Sequence, residues 1–143
     1  MSSFPKVMSA LMQGFKTVND SSLQLPVRWP NMKLEPPSTG GYATVDIVPS
    51  EPRVATLGQQ GEDEHSGFMQ VGLYYPLQDG HKAVIAAYEI LRVFFVAGRF
   101  LTYGDATVTV LRCGMSPPRK QESAFTTFVT VYWRARINRP TVN

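Results

Sequence analysis

The residues from Phe125 onward constrain this chain more than any others. Alternate positions read Phe125, Thr127, Val129, Val131, Trp133, Ala135 and Ile137, while the positions between them read Thr126, Phe128, Thr130, Tyr132, Arg134, Arg136 and Asn138. A period of two sustained this long predicts one strand with a core face and an amphipathic face. Thirteen residues at about 3.3 Å each give a strand of about 43 Å. A globule of 143 residues measures under about 40 Å across. The strand therefore protrudes or follows a boundary with another chain, unless a bulge or break divides it.

The remaining segments supply what packs on it. Val7, Leu11 and Phe15, with Met8, Met12 and Val18, recur at spacings of three and four and predict an N-terminal helix. Pro5 suits its first turn, and the polar cluster Asn19-Asp20-Ser21-Ser22 should end it. Pro26 and Pro30 restrict residues 27–29 to a short edge strand. Tyr42 to Val48 and Gly67 to Tyr75 alternate as strands, and each is followed by a proline. A second helix runs from about His81 to Ala97, with Asp79 as N-cap candidate, Val84, Tyr88, Leu91 and Phe95 as its buried stripe, and Gly98 closing it. Phe100–Tyr103 and Ala106–Arg112 form a hairpin around Gly104-Asp105. Residues 50–66 and 114–121 read as two long loops, the second tipped by Pro117-Pro118. The order predicts a single α+β domain over residues 1–143, a mainly antiparallel sheet with two helices packed on one face and a long C-terminal strand. No sequence repeat divides the chain.

Composition excludes several classes. With 17% charged residues and 43% apolar ones the chain is neither a disordered tail nor a coiled coil, and its surface is thinly charged for a lone monomer. A net charge of +3 is too small to argue for nucleic acid by itself. One cysteine, Cys113, excludes an intrachain disulfide framework. The first residues lack the basic-then-apolar pattern of a signal peptide, and no apolar run is long enough to span a bilayer.

Catalytic signatures are absent. The chain has no Gly-rich phosphate loop, no HExxH and no Gly-x-Ser-x-Gly elbow. His65 and His81 have no ligand-spaced partners, Glu62-Asp63-Glu64 reads as a solvated acidic run, and Cys113 has no evident base. The reading is a protein that is not an enzyme and uses no metal or cofactor.

Charge is distributed unevenly instead. Residues 51–64 carry Glu51, Glu62, Asp63 and Glu64 against Arg53, whereas residues 112–139 carry Arg112, Arg119, Lys120, Arg134, Arg136 and Arg139 against Glu122. On different faces, these segments favour head-to-tail contact between copies. Such contact closes into a ring when the rotation permits. The candidate self-association residues are Phe128, Tyr132, Arg134 and Arg136 with Glu62, Asp63 and Glu64. The candidate docking residues in the loops are Arg53, Arg119 and Lys120. The mixture of Tyr132, Arg134 and Arg136 on one strand face also leaves open a platform for single-stranded nucleic acid.

Four local patterns carry a family resemblance: Trp29-Pro30-Asn31 after an N-terminal helix; Tyr42-Ala43-Thr44-Val45-Asp46-Ile47 before Pro49 and Glu51-Pro52; Thr56-Leu57-Gly58 leading to Gly67-Phe68-Met69-Gln70-Val71; and Tyr75-Pro76-Leu77 with Gly80 before the second helix. With these the chain resembles the small tail-terminator, or tail-completion, proteins of long-tailed bacteriophages, most closely over residues 27–112. The resemblance implies a structural virion protein of the tail's head-proximal end, assembled in the host cytoplasm. It implies a homohexameric ring that caps the tube, ends its polymerisation and joins tail to head. Its partners would be other copies of itself, the tail tube protein and a neck protein, with DNA passing through the lumen unread and no membrane involved. A different neck or head-completion ring protein is the alternative.

Overall fold

Two strands of 15 residues each, β4 (Glu62–Pro76) and β8 (Ala124–Asn138), lie side by side through the middle of the sheet. They pair antiparallel along their whole length, from Glu62 opposite Asn138 to Pro76 opposite Ala124. At about 3.3 Å per residue this ribbon is about 50 Å long. It appears in a computed structural model that describes residues 3–33, 40–58, 60–77, 80–121 and 124–140.

The other elements are α1 (Phe4–Val18), β1 (Val27–Arg28), β2 (Tyr42–Pro49), β3 (Arg53–Val54), α2 (Gly80–Phe94), β5 (Phe100–Tyr103), β6 (Ala106–Met115) and β7 (Arg119–Gln121). The eight-stranded sheet has the order β1-β2-β4-β8-β6-β5 and is antiparallel except where β1 joins β2. β3 continues the line of β2 along β4, and β7 continues the line of β6 along β8. A symmetry invisible in the sequence follows. One helix and four strands, in the order α1-β1-β2-β3-β4, are repeated as α2-β5-β6-β7-β8, and the two long strands meet at the centre.

Both helices cover one face. α1 packs over β5 and β6, and α2 over β4, β8 and β6. The core-facing residues of the long strands are the alternating set read from the sequence: Met69, Val71 and Leu73 on β4, and Val129, Val131, Trp133, Ala135 and Ile137 on β8. They join Val7, Leu11 and Phe15 of α1 and Ala87, Leu91 and Phe95 at α2 in one cluster. Burial of this apolar surface is the main force holding the layers together.

Several expectations are corrected. Residues 50–66 are not one open loop: 53–54 and 62–66 are strand, 53–54 paired with β4 and 62–66 with β8. Residues 114–121 likewise contain the end of β6 and all of β7. The C-terminal strand is two residues longer than the 13 expected and has no break; the irregularity lies on its neighbour, where Leu111 is the extra residue between Val110 and Arg112. Before this bulge Ala106, Val108 and Val110 face the core, and after it Cys113 and Met115 do. The N-terminal α-helix ends at Val18, beside the Asn19–Ser22 cluster as expected, but the chain goes on as a π-helical turn over Asn19–Leu23, which ends where Gln24 takes φ 54°. Buried Asn19 then holds Leu25 through both amide atoms, at 2.9 and 3.0 Å. α2 ends at Phe94, and Gly98, at φ 90°, turns its N–H to the Val110 carbonyl at 2.7 Å. The proposed cap Asp79 lies outside the described residues.

Candidate assembly interface

The opposite face of the sheet has no helix on it among the described residues. Its side chains are the even-numbered set of β4 and β8, flanked by those of β2 and β6. Strand register sorts them into two halves.

One half is aromatic. The Tyr42 and Tyr74 rings stack at 4.5 Å with planes 2° apart, and Tyr74 meets Phe128 edge-on at 6.5 Å. Gly72 sits among them. A Cβ there would fall 2.5 Å from Thr44 Oγ1 and 3.2 Å from Phe128 Cε1, so a side chain would break the close packing. Two rows on, Phe68 lies 6.1 Å from Tyr132. The guanidinium of Arg112 covers the other side of Tyr132, 4.1 Å from its centroid. The bulge at Leu111 sets this contact, because it turns Arg112 to this face.

The other half is charged. Ser66 lies opposite Arg134, Glu64 opposite Arg136 and Glu62 opposite Asn138. Glu62 and Glu64 are half-exposed; Arg134 and Arg136 are exposed. A cleft of about 540 Å³ on one side is lined by Glu62, Glu64, Thr107, Thr109, Arg134 and Arg136. Another of about 550 Å³ is lined by Ser50, Glu51, Arg53, Glu64, Leu111 and Arg134.

The acidic and basic segments thus do not occupy different faces, as the charge map suggested. Glu62 and Glu64 share one face with Arg134 and Arg136, on adjacent strands of the same chain. Asp63 points the other way. It accepts Nε and Nη2 of Arg139 at 3.1 and 3.0 Å, while the same guanidinium donates to the carbonyls of Thr56 at 2.7 Å and of Gly58. This clamps the turn between β3 and β4 against the end of β8. Of the docking residues, Arg53 lies opposite Glu64 near one end of the ribbon, and Arg119 lies opposite Thr126 near the other; Lys120 is opposite Phe125. All three are exposed.

Sequence reasoning found Phe128, Tyr132, Arg134 and Arg136 on this face. It missed Tyr42, Phe68, Tyr74 and Arg112, whose membership depends on strand pairing and on the bulge. Among the described residues no three His, Cys, Asp or Glu side chains cluster to hold a metal ion, and no helix is long and apolar enough to cross a membrane. Cys113 is half-buried, and desolvation pushes its thiol up to about 11, slightly opposed by Arg92. His65 packs edge-on against Phe4, 5.3 Å between centroids.

Comparison with known proteins agrees with this architecture. No curated protein matches the chain significantly. One solved protein structure superposes with a TM-score of 0.77 at 20% identity, covering 96% of this chain and 98% of its own. A chain of the solved virion of a native gene transfer agent (GTA) particle superposes with a TM-score of 0.51 at 14% identity, covering 95% and 99%. At these identities the two structures speak for the fold alone. The family model of phage tail terminator proteins matches residues 6–133, nearly the whole described fold, and the chain belongs to that family.

Proposed function

We propose that this protein is a non-enzymatic virion component that forms a homohexameric ring on the head-proximal end of a phage tail tube. The ring stops the addition of tube subunits and offers its other side to a neck or head-completion protein. Family membership over residues 6–133 is the observation that carries this reading. The geometry supports it: a subunit whose sheet, among the described residues, has helices on one side only, and aromatic and charged side chains in rows on the other, leaves a face suited to contact with other chains.

In this reading Phe128, Tyr132, Arg134 and Arg136, with Glu62 and Glu64 beside them, contribute to contacts between subunits. Asp63 contributes indirectly by fixing Arg139 and the adjoining turn. Arg53 and the pair Arg119 and Lys120, at opposite ends of the ribbon, serve the two axial partners. DNA passes through the lumen without being read, and the acidic residues interleaved with Arg134 and Arg136 disfavour a phosphate backbone on this face. Assembly takes place in the host cytoplasm and the product stays in the virion.

The test is growth of tail tubes from purified tube protein. Addition of this chain should stop elongation at a fixed length and leave hexameric density at one tube end. Unchanged elongation with no bound subunit would contradict the reading.

A further inference from the structure

The uncovered sheet face has a property that a polar ring does not require: it is complementary to itself. β4 and β8 are antiparallel neighbours, so a two-fold axis running along the strands between them exchanges the two columns at constant height. Glu64 of one copy then meets Arg136 of the second, and Arg136 of the first meets Glu64 of the second. The same operation sets Phe68 over Tyr132, twice. These rows bring acid to base and ring to ring, with no like charges opposed. Within one chain Glu64 and Arg136 are cross-strand neighbours, yet neither enters an ion pair among the described residues. Both remain available to a second molecule.

We infer that free subunits pair face to face through this surface, as a two-fold dimer of the chain with itself. Two sheets stacked in this way lie about 10 Å apart with their strands within about 30° of each other. The occupant is a second copy because the charge pattern is its own complement, whereas a uniformly basic or acidic partner would meet a like charge in the Glu64–Arg136 row. A two-fold contact is isologous, and a ring with one side for the tube and one for the neck is built from heterologous contacts. The dimer is therefore an off-tail state. It covers the sheet face in solution and must open before a subunit enters the ring. The pairing rests on strand register and charge and is independent of the ring reading.

Sedimentation of the full chain, alone and without tube protein, tests this. The wild-type chain should show a concentration-dependent monomer–dimer equilibrium weakened by salt. Glu64→Arg and Arg136→Glu each place like charges together twice per dimer, and each should weaken pairing by about 100-fold or more. An equimolar mixture of the two variants should dimerise again, because both contacts are then acid to base. A purely structural role for either residue within its own chain gives no such rescue. Glu64→Gln and Arg136→Gln, which introduce no repulsion, should each weaken pairing and keep the test readable if a reversal impairs folding. A wild-type chain that stays monomeric would overturn the inference. So would single variants that dimerise as wild type does, or a mixture that does not recover. Because no tube is present, failure here is distinct from failure to cap a tube.

Discussion

The guanidinium of Arg112 lies 4.1 Å from the ring centroid of Tyr132, on the sheet face that no helix covers among the described residues. The two residues are cross-strand partners only because Leu111 is bulged out of β6. Arg112→Ala removes the cation–π contact and leaves the bulge. It should cost about 0.5–1 kcal/mol in chemical denaturation, the range for exposed contacts of this kind. Deleting Leu111 removes only the extra residue and leaves Val110 opposite Trp133 and Arg112 opposite Tyr132, so it should keep this contact and the register of both halves of β6.

Arg139 binds the turn between β3 and β4. It holds one carboxylate and several backbone carbonyls while its side chain and that of Asp63 are about one-quarter exposed. Its own N–H also donates to the Gly61 carbonyl at 2.9 Å. Arg139→Ala should destabilise the fold by about 1.5–3 kcal/mol, as expected for charge-assisted hydrogen bonds. Amide exchange should accelerate at Glu62, whose N–H donates to Thr56 Oγ1 at 2.7 Å, ahead of the central rows of β4.

Desolvation raises the Cys113 thiol to about 11. Near pH 8 its thiolate population is then about 100-fold below that of an ordinary cysteine. Alkylation of the folded protein at that pH should be slower than in denaturant by at least that ratio. Equal rates would show that the β6 edge opens freely.

Lys6 donates to Asp105 at 2.7 Å and ties the start of α1 to the β5–β6 turn. That hydrogen bond is the first cause holding the Asp105 carboxyl down at about 2. A carboxyl depressed in the folded state stabilises it above the unfolded pKa of about 3.9, and the contribution is lost as pH falls through about 2. Lys6→Met should move the Asp105 titration upward toward the ordinary aspartate range, read by NMR of its carboxyl carbon.

How far the fold was legible depended on which side chains face water. The C-terminal strand and the second half of β4 were readable because one face alternates apolar residues against polar or aromatic ones. The first half of β4 was not: Glu62, Asp63, Glu64 and His65 carry no apolar period. They form strand because β8 supplies a ladder partner for each, and because Asp63 and His65 find Arg139 and the Phe4 ring. β7 was hidden behind Pro117 and Pro118, and its three residues are strand only through pairing with Gln121's neighbours on β8, from Ala124 to Thr126. The bulge at Leu111 has no local signature, so the place of Arg112 on the same face as Tyr132 could not be read. The repeated order of helix and four strands left no trace in the sequence, since the repeats share element order and not residues. The charge map picked out segments that turn out to lie side by side on adjacent strands. Their shared face is a property of strand register, which composition does not encode.

The central claim is tested most directly by locating the chain in assembled particles by cryo-electron microscopy. The account predicts six copies in one ring at the junction of tail tube and head, and none along the tube. Density for this chain elsewhere in the particle, or mature tails of normal length assembled without it, would contradict it.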